Sequence, residues 1–105
     1  MKPIVAAAPS TPQVLPEVIS EEFLALLRTW GVVQAYLFGS VAAGNARPES
    51  DLDLLVTFDP PVSLFKQMDL AEDLSRLCGR NVDLMTDIDP AFAPYIMPTL
   101  VALPL

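Results

Sequence analysis

The sequence predicts an α/β fold of the two-layer α+β kind, a small mixed β-sheet with helices packed on one of its faces. Three observations predict it. Residues 51–58 (DLDLLVTF) alternate between apolar and other side chains, as a half-buried strand does. Two stretches with helical apolar spacing flank that segment, one before and one after. The element order is helix, strand, Gly-Ser turn, strand, helix, strand, in which helices can cover the apolar face of one sheet. The 105 residues suit a single domain able to bury a core without disulfides.

Residues 1–14 hold Pro3, Pro9 and Pro12 among small residues without periodicity and read as a flexible arm, leaving 15–105 as the domain. A helical pattern starts at Pro16, with Ile19, Phe23, Leu26, Leu27 and Trp30 on one stripe. Glu17, Glu21 and Glu22 lie near its positive end, and Gly31 stands where a helix stops. Val33 to Phe38 is β-branched and aromatic, a strand whose Tyr36 and Phe38 are expected in the core. Gly39 and Ser40 break it, residues 41–45 suit a short helical turn, and 46–50 form a loop.

In the strand from Asp51 to Phe58, Leu52, Leu54, Val56 and Phe58 share one face, and Asp51, Asp53, Leu55 and Thr57 the other. Pro60 and Pro61 end it. Ser63 is the expected N-cap of a second helix that Gly79 closes, with Leu64, Phe65, Met68, Ala71, Leu74, Leu77 and Cys78 on its buried stripe. Residues 81–85 (NVDLM) make a third strand, Val82 and Leu84 facing one way and Asn81 and Asp83 the other. The four-proline tail from Pro90 to Leu105 has room for one broken helical turn around Tyr95 to Val101.

Composition excludes several classes of function. With no histidine and Cys78 as the sole cysteine, the chain has no disulfide framework, Cys/His zinc site or histidine base. Cys78 is therefore read as a small core residue. Thirteen acidic against six basic residues give a formal charge of −7, which repels nucleic-acid phosphates. A basic protein partner or divalent cations would suit it better. The apolar share of 52% leaves room for a surface covered by a partner or a second copy. No run reaches the length of a signal-peptide core or membrane span, so a cytoplasmic protein is expected.

Three carboxylates carry the chemistry. Asp51 and Asp53 are two apart on one strand, so both project from one face, roughly 7 Å apart along it. Such paired anions raise each other's pKa and weaken the fold, a conflict that a hard divalent cation removes. Asp83 completes the cluster if the third strand lies beside the second. Gly39 lets backbone approach a ligand closely, and the amides after it, with the Ser40 hydroxyl, suit phosphate. Arg47 and Lys66 are the nearest cations for a polyphosphate, Arg47 the better placed. Glu49, Asp87 and Asp89 read as ordinary solvated acids.

Residues 38–56, FGSVAAGNARPESDLDLLV, resemble the signature of the DNA polymerase β-like nucleotidyltransferases: Gly-Ser, ten residues, then Asp-x-Asp. The likeness extends to the apolar strand before it, to Arg47, Pro48 and Ser50, and to NVDLM with its third acid, covering roughly 18–97. The brevity of the chain resembles the minimal nucleotidyltransferases commonly encoded beside a small helical HEPN-domain protein.

The resemblance implies the polymerase β-like fold and nucleotidyl transfer from ATP with two Mg²⁺ ions. Asp51 and Asp53 would hold both ions, and Asp83 would join on the catalytic one. Gly39 and Ser40, with Arg47, would bind the nucleotide's phosphates. It further implies an antitoxin that adds AMP to a tyrosine of a HEPN toxin. One departure from the family is Ala43, where arginine is frequent. The alternatives are a non-catalytic module that neutralises a HEPN toxin by contact, and a small-molecule nucleotidyltransferase, which normally needs further helices.

Overall fold

The computed structural model describes residues 17–39 and 50–105. The expected arm at 1–14 and the short turn at 41–45 lie outside them. Helix α1 spans Glu21–Thr29, and the Ser20 hydroxyl caps it by accepting the Phe23 N–H at 3.1 Å. It therefore begins later than the pattern from Pro16 predicted, because Ser20 supplies the oxygen that the first turn needs. Phe23, Leu24 and Leu27 are buried, whereas Leu26 and Trp30 are only partly covered.

Strand β1 (Val32–Phe38) runs antiparallel to β2 (Leu52–Phe58), with Ala35 opposite Val56, Leu37 opposite Leu54 and Phe38 opposite Asp53. Leu52, Leu54, Val56 and Phe58 are all buried, as the alternation predicts. Helix α2 (Leu64–Cys78) opens with the Ser63 hydroxyl accepting the Lys66 N–H and closes on Gly79 at φ 73°. It returns the chain to β3 (Val82–Met85), parallel to β2. The tail forms a helical turn, α3 (Ala93–Ile96), then a 3-10 turn (Met97–Thr99) and β4 (Val101–Ala102), antiparallel to β1. The sheet order is β3-β2-β1-β4. This is the predicted mixed sheet with one strand more, since the four-proline tail by itself predicts one broken turn and no strand. The addition rests on long-range pairing, including the Leu103 N–H donating to the Ala35 carbonyl.

The core lies between the sheet and the pair α1 and α2, where Phe23, Leu27, Leu37, Leu52, Leu54, Leu70 and Leu74 are fully buried. The expected buried stripe of α2 needs correction. Only Leu70 and Leu74 are buried in that helix, while Leu64 (68%), Phe65 (80%), Met68 (59%) and Leu77 (45%) are exposed. The helix touches the core along one narrow strip. With about 3.6 residues per turn, Phe65 and Met68 fall on its far side. Tyr36 is likewise only half-buried, on the face of β1 away from the core. Among the described residues no helix is long and apolar enough to cross a membrane.

Candidate functional site

Opposite the helix-covered face, one end of the sheet gathers the acids. Parallel pairing sets Asp53 directly beside Asp83, and Asp51 lies just ahead of β2. Neighbouring strands are about 4.8 Å apart, so the two registered carboxylates share one small region. The sequence left the neighbourhood of Asp83 conditional on strand order, and the order β3-β2-β1 supplies it. On the other side of Asp53, β1 ends at Phe38, which is buried but stands apart from the main core cluster.

Gly39 follows at φ 80°, the left-handed region that favours glycine. A Cβ built there would collide with the Asp53 carboxylate oxygen and lie 3.4 Å from its Cγ. The absent side chain is thus what leaves room for the carboxylate. Burial raises the Asp53 pKa above its ordinary value, and the charges of Asp83 and then Asp51 raise it further.

Two residues that the sequence reading passed over border this cluster. The Asn81 amide donates to Asp83 Oδ1 at 3.4 Å, and the Arg80 guanidinium donates to the Ser50 carbonyl at 3.5 Å. Neither stands out in sequence, because their relevance depends on β3 lying against β2. Lys66 is removed from the site by topology. It sits in the first turn of α2, which leaves from the Phe58 end of β2, roughly 17 Å along the strand from Asp53. Ser40, Arg47 and Ala43 lie outside the described residues.

Among the described residues no three acid, histidine or cysteine side chains converge tightly enough to cage a metal unaided. The donors still fit a hard cation that is completed by other ligands. Magnesium commonly takes one or two carboxylates and fills its remaining positions with water and substrate phosphates. An ionised Asp53, disfavoured by burial and by two like charges, is the group such a cation would relieve.

Comparison with known proteins places the chain in a family. Residues 19–97 match the nucleotidyltransferase domain family. Protein adenylyltransferase MntA of Thermococcus cleftensis is 42% identical over 60 residues, 57% of this chain. That match spans only 61% of the Thermococcus protein. The solved structure of a minimal nucleotidyltransferase superposes with a TM-score of 0.65 at 37% identity, covering 81% of this chain and 87% of that one. A toxin–antitoxin crystal structure with AMP-PNP gives a TM-score of 0.56 at 29% identity, covering 61% of this chain and 53% of that one. Sheet order, paired acids and matched length converge, and this chain belongs to the nucleotidyltransferase domain family, on the polymerase β-like fold.

Proposed function

We propose that the chain transfers AMP from ATP to a partner protein, with Asp51, Asp53 and Asp83 as metal-holding and catalytic residues. The observation that carries the reading is Asp83 registered against Asp53 beside a glycine whose Cβ position the carboxylate occupies. Asp51 and Asp53 would hold two Mg²⁺ ions, and Asp83 would join them. When bound, the ions supply positive charge against the negative charge that builds on the phosphates as pyrophosphate leaves.

The protein's own groups do the rest. Asp83 orients the acceptor hydroxyl and draws off its proton. Gly39 keeps the approach to Asp53 open, and Ser40 and Arg47 serve the nucleotide's phosphates. The relatives named above include a protein adenylyltransferase and a toxin–antitoxin complex with a nucleotide analogue. By extension, the acceptor here is a tyrosine of a HEPN toxin in the cytoplasm, for which this chain is the antitoxin.

The test is transfer of label from α-phosphate-labelled ATP, with magnesium, to the product of the neighbouring gene. Wild type should label it and Asp53→Asn should not. A second reading, neutralisation by contact alone, is favoured by one observation: Phe92 (59%), Tyr95 (77%) and Met97 (53%) stand exposed on the tail. It prevails if neither protein transfers label while both bind the partner tightly.

A further inference from the structure

Of the four described cations, Arg80 is the one whose side chain reaches a residue next to the acids. Arg28 donates to the Pro104 carbonyl and Arg76 pairs with Glu72 and Asp73; Lys66 belongs to the opposite end. Arg80 is half-buried and, among the described residues, has no carboxylate partner within ion-pair distance. For a chain of charge −7 that placement is unusual. Its guanidinium instead reaches the backbone of the residue preceding Asp51.

The backbone explains what this contact does. The last ladder bond between β2 and β3 at this end is the Leu52 N–H donating to the Asn81 carbonyl at 2.9 Å. Beyond it, Ser50 and Asp51 run outside the strand. Arg80 takes over there, joining the approach to β3 to the approach to β2 with a side chain. The next residue, Asn81, turns its amide onto the Asp83 carboxylate. Gly79, left-handed at φ 73°, lets the chain reverse out of α2 to place both. Two successive side chains thus contact the Asp83 carboxylate and the backbone just ahead of Asp51.

We infer that Arg80 is a positioning residue, which holds the Ser50–Asp51 backbone against β3 so that Asp51 and Asp83 keep a common geometry toward a divalent cation. The inference rests on the metal-dependent reading proposed above. Residues that orient metal ligands typically contribute 10- to 100-fold in metal affinity, and an arginine held by one carbonyl contributes little to the fold.

The experiment titrates Mn²⁺ into metal-free wild type, Arg80→Ala, Arg80→Lys and Arg76→Ala by calorimetry. Urea unfolding midpoints and label-transfer kinetics are measured on the same proteins. Arg80→Ala should bind Mn²⁺ about 10-fold more weakly, with an unchanged unfolding midpoint and with kcat recovered at saturating Mn²⁺. Arg80→Lys should recover part of the affinity, and Arg76→Ala should match wild type. Wild-type affinity in a folded Arg80→Ala protein overturns the inference alone. So does an affinity loss matched by a lower unfolding midpoint, which marks a role in the scaffold only. A wild type that neither binds Mn²⁺ nor transfers label overturns the catalytic reading and this inference with it.

Discussion

Replacing Gly39 by alanine separates two effects that a glycine can have. Gly31, Gly39 and Gly79 all adopt positive φ, at 86°, 80° and 73°. An alanine at any of them meets a backbone conformation that costs an L-residue about 1–2 kcal/mol. The space around them differs. Nothing lies within 4 Å of a Cβ at Gly79, and the Asp59 carbonyl is 3.7 Å from one at Gly31. At Gly39 the added carbon strikes the Asp53 carboxylate.

That oxygen is the far end of a side chain, so the carboxylate can swing away at little further cost in stability. Its displacement falls on function instead. All three variants should lose about 1–2 kcal/mol in urea unfolding. Gly39→Ala alone should lose label transfer and Mn²⁺ binding, by about 100-fold in rate for a displacement on the order of 1 Å. A Gly39→Ala protein with transfer and Mn²⁺ binding close to those of Gly79→Ala would refute the reasoning.

Other perturbations test neighbouring links. The raised pKa of Asp53 means that its ionised form opposes folding in the absence of metal. This burden is absent below the unfolded value of 3.8, grows as pH rises from there to the higher folded value, and is complete above it. Asp53→Asn removes the burial of a charge and its repulsion from Asp83 and Asp51, so it should stabilise the metal-free protein at pH 7, by about 1 kcal/mol for one such repulsion in a water-like medium. The gain should vanish when melts are repeated below pH 3.8, and destabilisation at pH 7 would show that the repulsion is not felt. Ser75 bridges α2 and β3, accepting the Val82 N–H at 2.9 Å while donating to the Ala71 carbonyl at 2.7 Å. Ser75→Ala leaves that N–H unpaired and should cost about 1–3 kcal/mol in denaturant unfolding; a loss near zero would mean that water replaces the hydroxyl.

What the sequence disclosed follows from how local each signal is. The alternation of β2 needs no partner to be read, and Ser63 and Gly79 mark the ends of α2 through bonds within a few residues. The inward face of α2 was misread because apolar residues surround the helix, and only packing distinguishes Leu70 and Leu74 from Phe65. Strand β4 has two residues and exists through its pairing with Tyr36 and Leu37, more than sixty positions earlier. The motif named the acids. Topology was needed to set Asp83 against Asp53, to move Lys66 to the other end of the sheet and to bring Arg80 in.

Strand β3 is four residues long and, among the described residues, lies at the margin of the sheet with only β2 beside it. Short marginal strands are where a sheet opens at least cost, so Asp83 rides on an element that can peel away while the core of α1, α2 and β2 stays closed. The two acids, thirty positions apart in sequence, are neighbours only while that margin is zipped. Any ligand that grips both becomes a clasp on the hem of the sheet. Its binding free energy would appear as slower deuterium uptake at Val82 to Met85, and the readiness of the acid-bearing end would be set by how often this hem comes undone.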